Sequence, residues 1–309
     1  MYIGIDLGGT NIAAGLVSEE GKIILKDSVP TNSTRPTEEI VKDMAELAKS
    51  LMERNGNTIE DIRSVGIGCP GSINVETGEV VYSNNIKMSH YPLAEVFRKY
   101  LDIHVKVDND ANCAALGEYT ANGEKCGCFA FVTLGTGVGG GLVLNGKLFH
   151  GFNGAGGEFG HMTLVSGGVR CTCGKEGCWE SYGSVTALIR QTKEAMEKNP
   201  ESIMHEIAKS EGKVSGRTAF EAAKKGDKAG QEVVDQYIRY VADGVVSLEN
   251  IFQPDIIAIG GGISKEGDYL LEPIRKYAAE NGFNKYMMRT KITAAKLFND
   301  AGIIGAALI

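Results

Sequence analysis

Apolar and polar positions along this chain alternate at two periods, which predicts strands and helices in a recurring order. Tyr2–Leu7 is apolar and β-prone; Gly8-Gly9-Thr10-Asn11 turns the chain and Ile12–Val17 returns it. Glu20-Gly21 then predicts a hairpin into a strand over Lys22–Val29. The spacing of Ile40, Val41, Met44, Leu47, Ala48, Leu51 and Met52 predicts an amphipathic helix, capped by Thr37 and closed by Asn55-Gly56. A buried strand over Ser64–Cys69 ends in Pro70-Gly71. A helix over Leu93–Tyr100, a strand over His104–Val107 and an alanine-rich helix over Ala111–Ala121 follow.

The opening pattern recurs from Cys128. Phe129–Leu134 reads as a strand, Gly135-Thr136-Gly137 turns, and Gly140–Leu144 returns. Asn145-Gly146 is a strong type I′ signal into Lys147–His150. The copies stand roughly 126 residues apart, a domain-sized interval. Helices are expected over Val185–Lys198, Lys228–Ile251 and Tyr269–Glu280, with a strand over Asp255–Ile259. The pattern predicts a two-domain α/β protein with a duplicated core and a ligand-binding cleft between the domains. The expected division is a small domain over 1–118, completed by an apolar tail helix over 296–309, and a large domain over 119–295.

Composition narrows the classes. The 309 residues are 43% hydrophobic and 23% charged, as in ordinary soluble proteins. A formal charge of −7 gives no overall attraction to nucleic acid or anionic membrane. No apolar run reaches the roughly 18 residues of a membrane span, and Met1 leads straight into the first strand without a secretory signal. Seven cysteines, an odd number in a long chain, argue against a stapled secreted scaffold and for a reducing cytoplasm. Cys69, Cys113, Cys126 and Cys128 read as small buried or partly buried thiols.

The remaining three cysteines carry chemistry. Cys171, Cys173 and Cys178 are spaced C-x-C-x4-C, with His161 ten residues upstream. Three thiolates and an imidazole complete a tetrahedral zinc site, and a full protein ligand set makes that zinc structural. Glu158 and Glu180 flank these ligands; on a metal-anchored loop they become acceptors for sugar hydroxyls rather than solvated surface acids. The paired bends supply amides and hydroxyls for a polyphosphate, from Gly8, Gly9, Thr10 and Asn11 and from Gly135, Thr136 and Gly137. Neither bend is a Walker loop. Asp6, ending its strand, is placed to hold Mg²⁺ through water. Asp108-Asn109-Asp110 has two compatible readings: Asn109 or Asp110 caps the following helix, and Asp110 is the base that takes a proton from an attacking hydroxyl.

Together these segments resemble the ROK family of repressors, uncharacterised reading frames and sugar kinases, and within it the bacterial glucokinase branch. The resemblance spans essentially the whole chain. It rests on Asp6-Leu7-Gly8-Gly9-Thr10-Asn11, Asp108-Asn109-Asp110-Ala111-Asn112, Leu134-Gly135-Thr136-Gly137, Gly157-Glu158-Phe159-Gly160-His161 and the run from Cys171 to Glu180. It implies the duplicated ribonuclease-H-like fold of actin and hexokinase, ATP with Mg²⁺, a hexose substrate and a homodimer. It further implies that Asp110 is the base toward the sugar 6-hydroxyl, and that Asn109, Glu158, His161 and Glu180 contact other hydroxyls. Gly71 and Asn85 then line the sugar pocket, and Gly261 and Gly262 the adenosine side. After Asn85 the family often has a small residue and a tryptophan, whereas Ile86-Lys87-Met88 stands here, which leaves open glucose against N-acetylmannosamine, N-acetylglucosamine, mannose, fructose or allose. A sugar-sensing repressor would carry a helix-turn-helix domain ahead of the first strand, and Tyr2 already begins that strand.

Overall fold

The computed structural model describes residues 1–83, 85–122, 126–284, 286–287 and 289–309. Two compact units emerge. The first comprises 1–127, 141–157 and 296–309; the second comprises 128–140 and 158–295.

In the first unit, β1 (Tyr2–Leu7), β2 (Asn11–Val17) and β3 (Ile23–Pro30) form an antiparallel meander. Helix α1 (Thr37–Arg54) follows, with Pro36 in the cap position and no side-chain cap, so Thr37 is the first helical residue instead of the expected cap. Proline suits this end because its fixed φ costs nothing and its missing N–H would be unpaired anyway. Packing decides this helix. Eight of its residues are buried, Ile40 to Met52, and a Leu- or Ile-sized side chain contributes about 1.5–3 kcal/mol on burial. Its first-turn acids contribute about 0.3–1 kcal/mol each.

Strand β4 (Val65–Cys69) pairs parallel with β1 on one side and with β8 (Val105–Asn109) on the other, giving the sheet order β3-β2-β1-β4-β8. Before β8 the chain makes β5 (Ser72–Asn74), β6 (Glu79–Ser83) and β7 (Met88–Tyr91), a small antiparallel sheet, and α2 (Leu93–Arg98). Helix α3 (Asp110–Asn122) starts directly from β8.

Strands β9 (Cys128–Leu134), β10 (Val138–Leu144) and β11 (Lys147–Leu148) repeat the opening meander. Asn145 (φ 49°) and Gly146 (φ 79°) form the left-handed pair that a type I′ turn requires. The second unit continues through α4 (Glu180–Gly183), α5 (Val185–Lys198), α6 (Met204–Glu211), α7 (Thr218–Lys224) and α8 (Lys228–Phe252). Asp227 caps α8 by accepting from the Gly230 amide at 2.7 Å. One face of α8, from Val233 and Tyr237 to Val245 and Leu248, is buried, and the helix packs against α5, α7 and α9 (Asp268–Asn281). Strand β12 (Ile256–Gly260) pairs parallel with β9 and with β13 (Lys291–Ala294), and the second sheet has the order β11-β10-β9-β12-β13.

The tail forms α10 (Asp300–Leu308), which lies in the first unit against α3, β1 and β4. Its approach is close: a Cβ at Gly4 would stand 1.8 Å from the Ile303 carbonyl, and one at Gly66 would stand 1.6 Å from that of Ala306. Among the described residues, no helix is long and apolar enough to cross a membrane.

Candidate active site

Strand register assembles the first half of the site. Asp6 stands beside Gly68, Gly68 beside Asp108, and Cys69 beside Asn109. The carboxyl ends of three parallel strands therefore lie side by side, the edge at which open α/β sheets place their ligands.

The bend after β1 is held rigidly. The Gly8 amide donates to the Asn11 carbonyl at 3.0 Å, the Thr31 hydroxyl donates to the Gly8 carbonyl at 2.6 Å, and the Thr31 amide donates to the Thr10 carbonyl at 2.8 Å. Gly9, Thr10 and Asn11 remain exposed at its tip. Thr31, unnoticed in the sequence, is the brace; a single threonine at a strand end carries no spacing signal.

Asp6 lies beneath this bend, against Gly302 of α10. Burial first, then the charge of Asp110, pushes its carboxyl up to about 6. Two acids close enough to oppose each other's ionisation are what a divalent cation relieves, so the donor set fits Mg²⁺ held by Asp6. The sign follows from the raised value. Folding favours the protonated acid, so the contribution is fully present below the ordinary 3.8 and is lost as pH rises through about 6. At pH 7 the ionised form costs about 3 kcal/mol. Asp6→Asn should therefore raise the thermal midpoint of nucleotide-free protein at pH 7, and the gain should vanish near pH 4. A gain that is absent, or equal at both pH values, would contradict this.

The turn at the end of β8 answers the capping question. Asn109 Oδ1 accepts from the amides of Ala111 (2.9 Å) and Asn112 (3.2 Å), and Asp110 Oδ1 accepts from Ala111 at 3.0 Å. Asn109 Nδ2 donates to the Gly71 carbonyl at 3.0 Å. Gly71 has φ +115°, and a Cβ there would stand 2.1 Å from the Tyr82 carbonyl, so no other residue fits. Asn85 is exposed and neighbours Gly9. Asp6, the first bend, Gly71, Asn85, Asn109 and Asp110 are thus gathered around one strand edge.

The second unit builds its own cluster. The Gly135 amide donates to the Gly137 carbonyl at 3.0 Å, and the Val185 amide donates to the Gly135 carbonyl at 2.8 Å. Gly261 (φ +87°) lies against Leu134, bringing Gly261 and Gly262 alongside the bend. Glu180 Oε2 accepts from the Val138 amide at 3.1 Å and lies where a side chain at Gly137 would stand, 2.2 Å from that Cβ. Spacing placed Glu180 beside the metal ligands; its contact with the bend, 42 residues away, had no sequence signal.

His161, Cys171, Cys173 and Cys178 bring one ligand atom each to within 4.8 Å of one another. Cys171 Sγ is 3.7 Å from His161 Nδ1, and the sulfurs of Cys173 and Cys178 are 3.6 Å apart. Those are the edges of a tetrahedron around a metal with bonds of about 2.0–2.3 Å, the lengths zinc makes to nitrogen and sulfur. Burial, then the neighbouring thiols, pushes Cys178 up to about 12, so a bound cation would be what favours its thiolate. A metal ligated through Nδ1 would keep the imidazole proton on Nε2.

The ligand loop is anchored at both ends. Trp179, fully buried, donates from Nε1 to the Tyr240 carbonyl at 2.9 Å. Glu158, exposed, opens the short turn Phe159–His161, and its carbonyl accepts from the His161 amide at 3.1 Å.

Known proteins resemble this chain along its length. The chain is 36% identical to a glucokinase of Halalkalibacterium halodurans over 98% of its own length and 93% of that protein. It is 38% identical to a glucokinase of Streptomyces coelicolor over 99% and 96%. A ROK family glucokinase from Streptomyces griseus, solved with glucose and AMPPNP, superposes with a TM-score of 0.84 at 35% identity, covering 99% of this chain and 97% of that one. Residues 2–309 match the ROK family, and the chain belongs to it.

Proposed function

We propose that this protein transfers the terminal phosphoryl group of ATP to the 6-hydroxyl of a hexose, with glucose the preferred acceptor. The observation that carries the reading is the strand register that sets the Gly8–Asn11 bend and Asp6 beside Asp110. It is supported by the likeness to a glucokinase solved with glucose and AMPPNP.

Asp110 orients the sugar hydroxyl and takes its proton as the new oxygen–phosphorus bond forms and the bond to ADP breaks. The transition state of such a transfer is loose, so positioning and charge stabilisation outweigh basicity. Gly8, Gly9, Thr10 and Asn11, together with Gly135, Thr136 and Gly137, donate to the phosphates. Gly261 and Gly262 serve the adenosine side. Mg²⁺, held by Asp6, supplies neutralisation of the phosphate charge. Gly71, Asn85 and Asn109 shape the sugar site, and Glu158, His161 and Glu180 bind its other hydroxyls, with zinc fixing their loop. The protein acts in the cytoplasm as a homodimer and feeds glycolysis.

The alternative acceptor is another hexose or an N-acetyl hexose, because Ile86-Lys87-Met88 stands where the family often has a small residue and a tryptophan. Ile86 and Met88 are buried, and Lys87 takes a left-handed φ of 51°, so the segment after Asn85 packs inward as a tight turn. An ADP-release assay over glucose, mannose, fructose, allose, N-acetylglucosamine and N-acetylmannosamine decides between them. Glucose is expected to give the highest kcat/KM; a higher value for an N-acetyl sugar or mannose would reassign the acceptor.

A further inference from the structure

We propose that His150 is a positioning residue for the base Asp110, acting through the buried carboxylate of Asp108. The inference rests on the kinase reading above. Asp108, on β8 just ahead of the turn, is only 3% exposed. Its Oδ1 accepts from the Asn109 amide at 2.7 Å and from Asn112 Nδ2 at 3.0 Å, and its Oδ2 accepts from His150 Nε2 at 2.6 Å. Asn109 precedes Asp110 and Asn112 lies in the first turn after it. One carboxylate therefore grips the chain on both sides of the base. His150 fixes the plane of that carboxylate by holding its other oxygen.

The pairing is local and strong. The bond is charge-assisted, the short and geometrically demanding kind, and the Asp108 side chain is far more buried than the half-covered imidazole. The bond to Asp108 is also the first cause raising the His150 ring above its usual value. Cys113 of α3 lies among Asp108, Asp110 and Asp6 and beside Cys69, and the His150 imidazole that bonds Asp108 is a group that can become cationic. The His150 carbonyl accepts from the Gly156 amide at 2.9 Å, which folds the glycine-rich segment back on itself and fixes the backbone that carries the ring. Without the imidazole, Asp108 Oδ2 would be left buried without its donor, and the carboxylate would turn to regain one, drawing Asn109 and Asn112 with it. A displacement near 1 Å is enough to slow a positioned reaction by about 10²-fold.

The test compares full-length wild type, His150→Phe, which fills the space without a donor, and His150→Gln, which keeps an N–H donor. We expect His150→Phe to lose about 10–100-fold in kcat with both KM values held within about twofold, and His150→Gln to recover to within about threefold of wild type. Unfolding midpoints recorded alongside separate this from a staple of the fold, which would lower the midpoint without the split between the two variants. Wild-type kcat in His150→Phe, or a folded His150→Gln as slow as Phe, would overturn the proposal. Should His150→Phe fail to fold, His150→Met against His150→Gln makes the same comparison. Hydrogen–deuterium exchange across 108–112 gives a readout that does not need turnover. Faster exchange there in the Phe variant supports the positioning role, and unchanged exchange refutes it. A wild type that phosphorylates no hexose would remove the kinase reading, and exchange alone would then decide the role of His150.

Discussion

Stripping the metal from this protein, or replacing Cys178 with serine, is expected to abolish most activity and to destabilise the second unit. Three cysteines and His161 bring their ligand atoms within 4.8 Å of one another, and structural zinc contributes on the order of 10 kcal/mol to the folding of a segment that binds it. The loop from Phe159 to Glu180 is crossed by backbone bonds from Leu164 and Val165 to Gly177 and from Trp179 to Met162, and a metal on its four ligands would tie these turns together. Loss of a metal there is expected to loosen the hold of Glu180 on the Val138 amide and the Glu158–His161 turn. We expect kcat/KM for the hexose to fall by about 10²-fold or more, with a lower unfolding midpoint that zinc alone restores. Metal analysis of active protein should give about one zinc per chain. Full activity in protein carrying less than about a tenth of that would dismiss the structural metal.

Much of this architecture is readable from the chain because some residues have few alternatives. Asn145-Gly146 reads as a hairpin since two successive left-handed residues admit little else, and both bear positive φ. The metal set is legible because four ligands of the right type sit close in sequence. The long helices α1, α5 and α8 show their buried stripe at helical spacing. The small sheet of β5, β6 and β7 is silent: its strands are short and Tyr82, Ser89 and His90 face solvent, so alternation never builds a signal. Helices α6 and α7 are too short to declare a period.

The site shows the same division. Asp6, Asn109 and Asp110 announce themselves by standing at strand ends beside glycines or a helix start. Asp108 is hidden by its neighbours, and its partner His150 lies 42 residues on. Thr31 acts through its hydroxyl and amide, and Val138 through its amide. Contacts of that kind exist only once the sheets have formed, and nothing in local composition encodes them.

Asp110→Asn carries the largest expected effect on chemistry. The replacement keeps the shape and an oxygen that can accept from the Ala111 amide, while Asn109 goes on accepting from Ala111 and Asn112. The helix start is thus preserved, and what disappears is the capacity to take a proton. Removing a general base costs roughly 10²–10⁴-fold in rate. It also relieves Asp6 of a neighbouring charge, so stability should hold or rise.

The decisive measurement is turnover and sugar affinity in one preparation of Asp110→Asn, by coupled ADP release and by titration calorimetry with glucose. The account predicts kcat reduced by about 10³-fold with the glucose Kd within about threefold of wild type. A kcat within about tenfold of wild type, in protein that still binds glucose, would take Asp110 out of the mechanism.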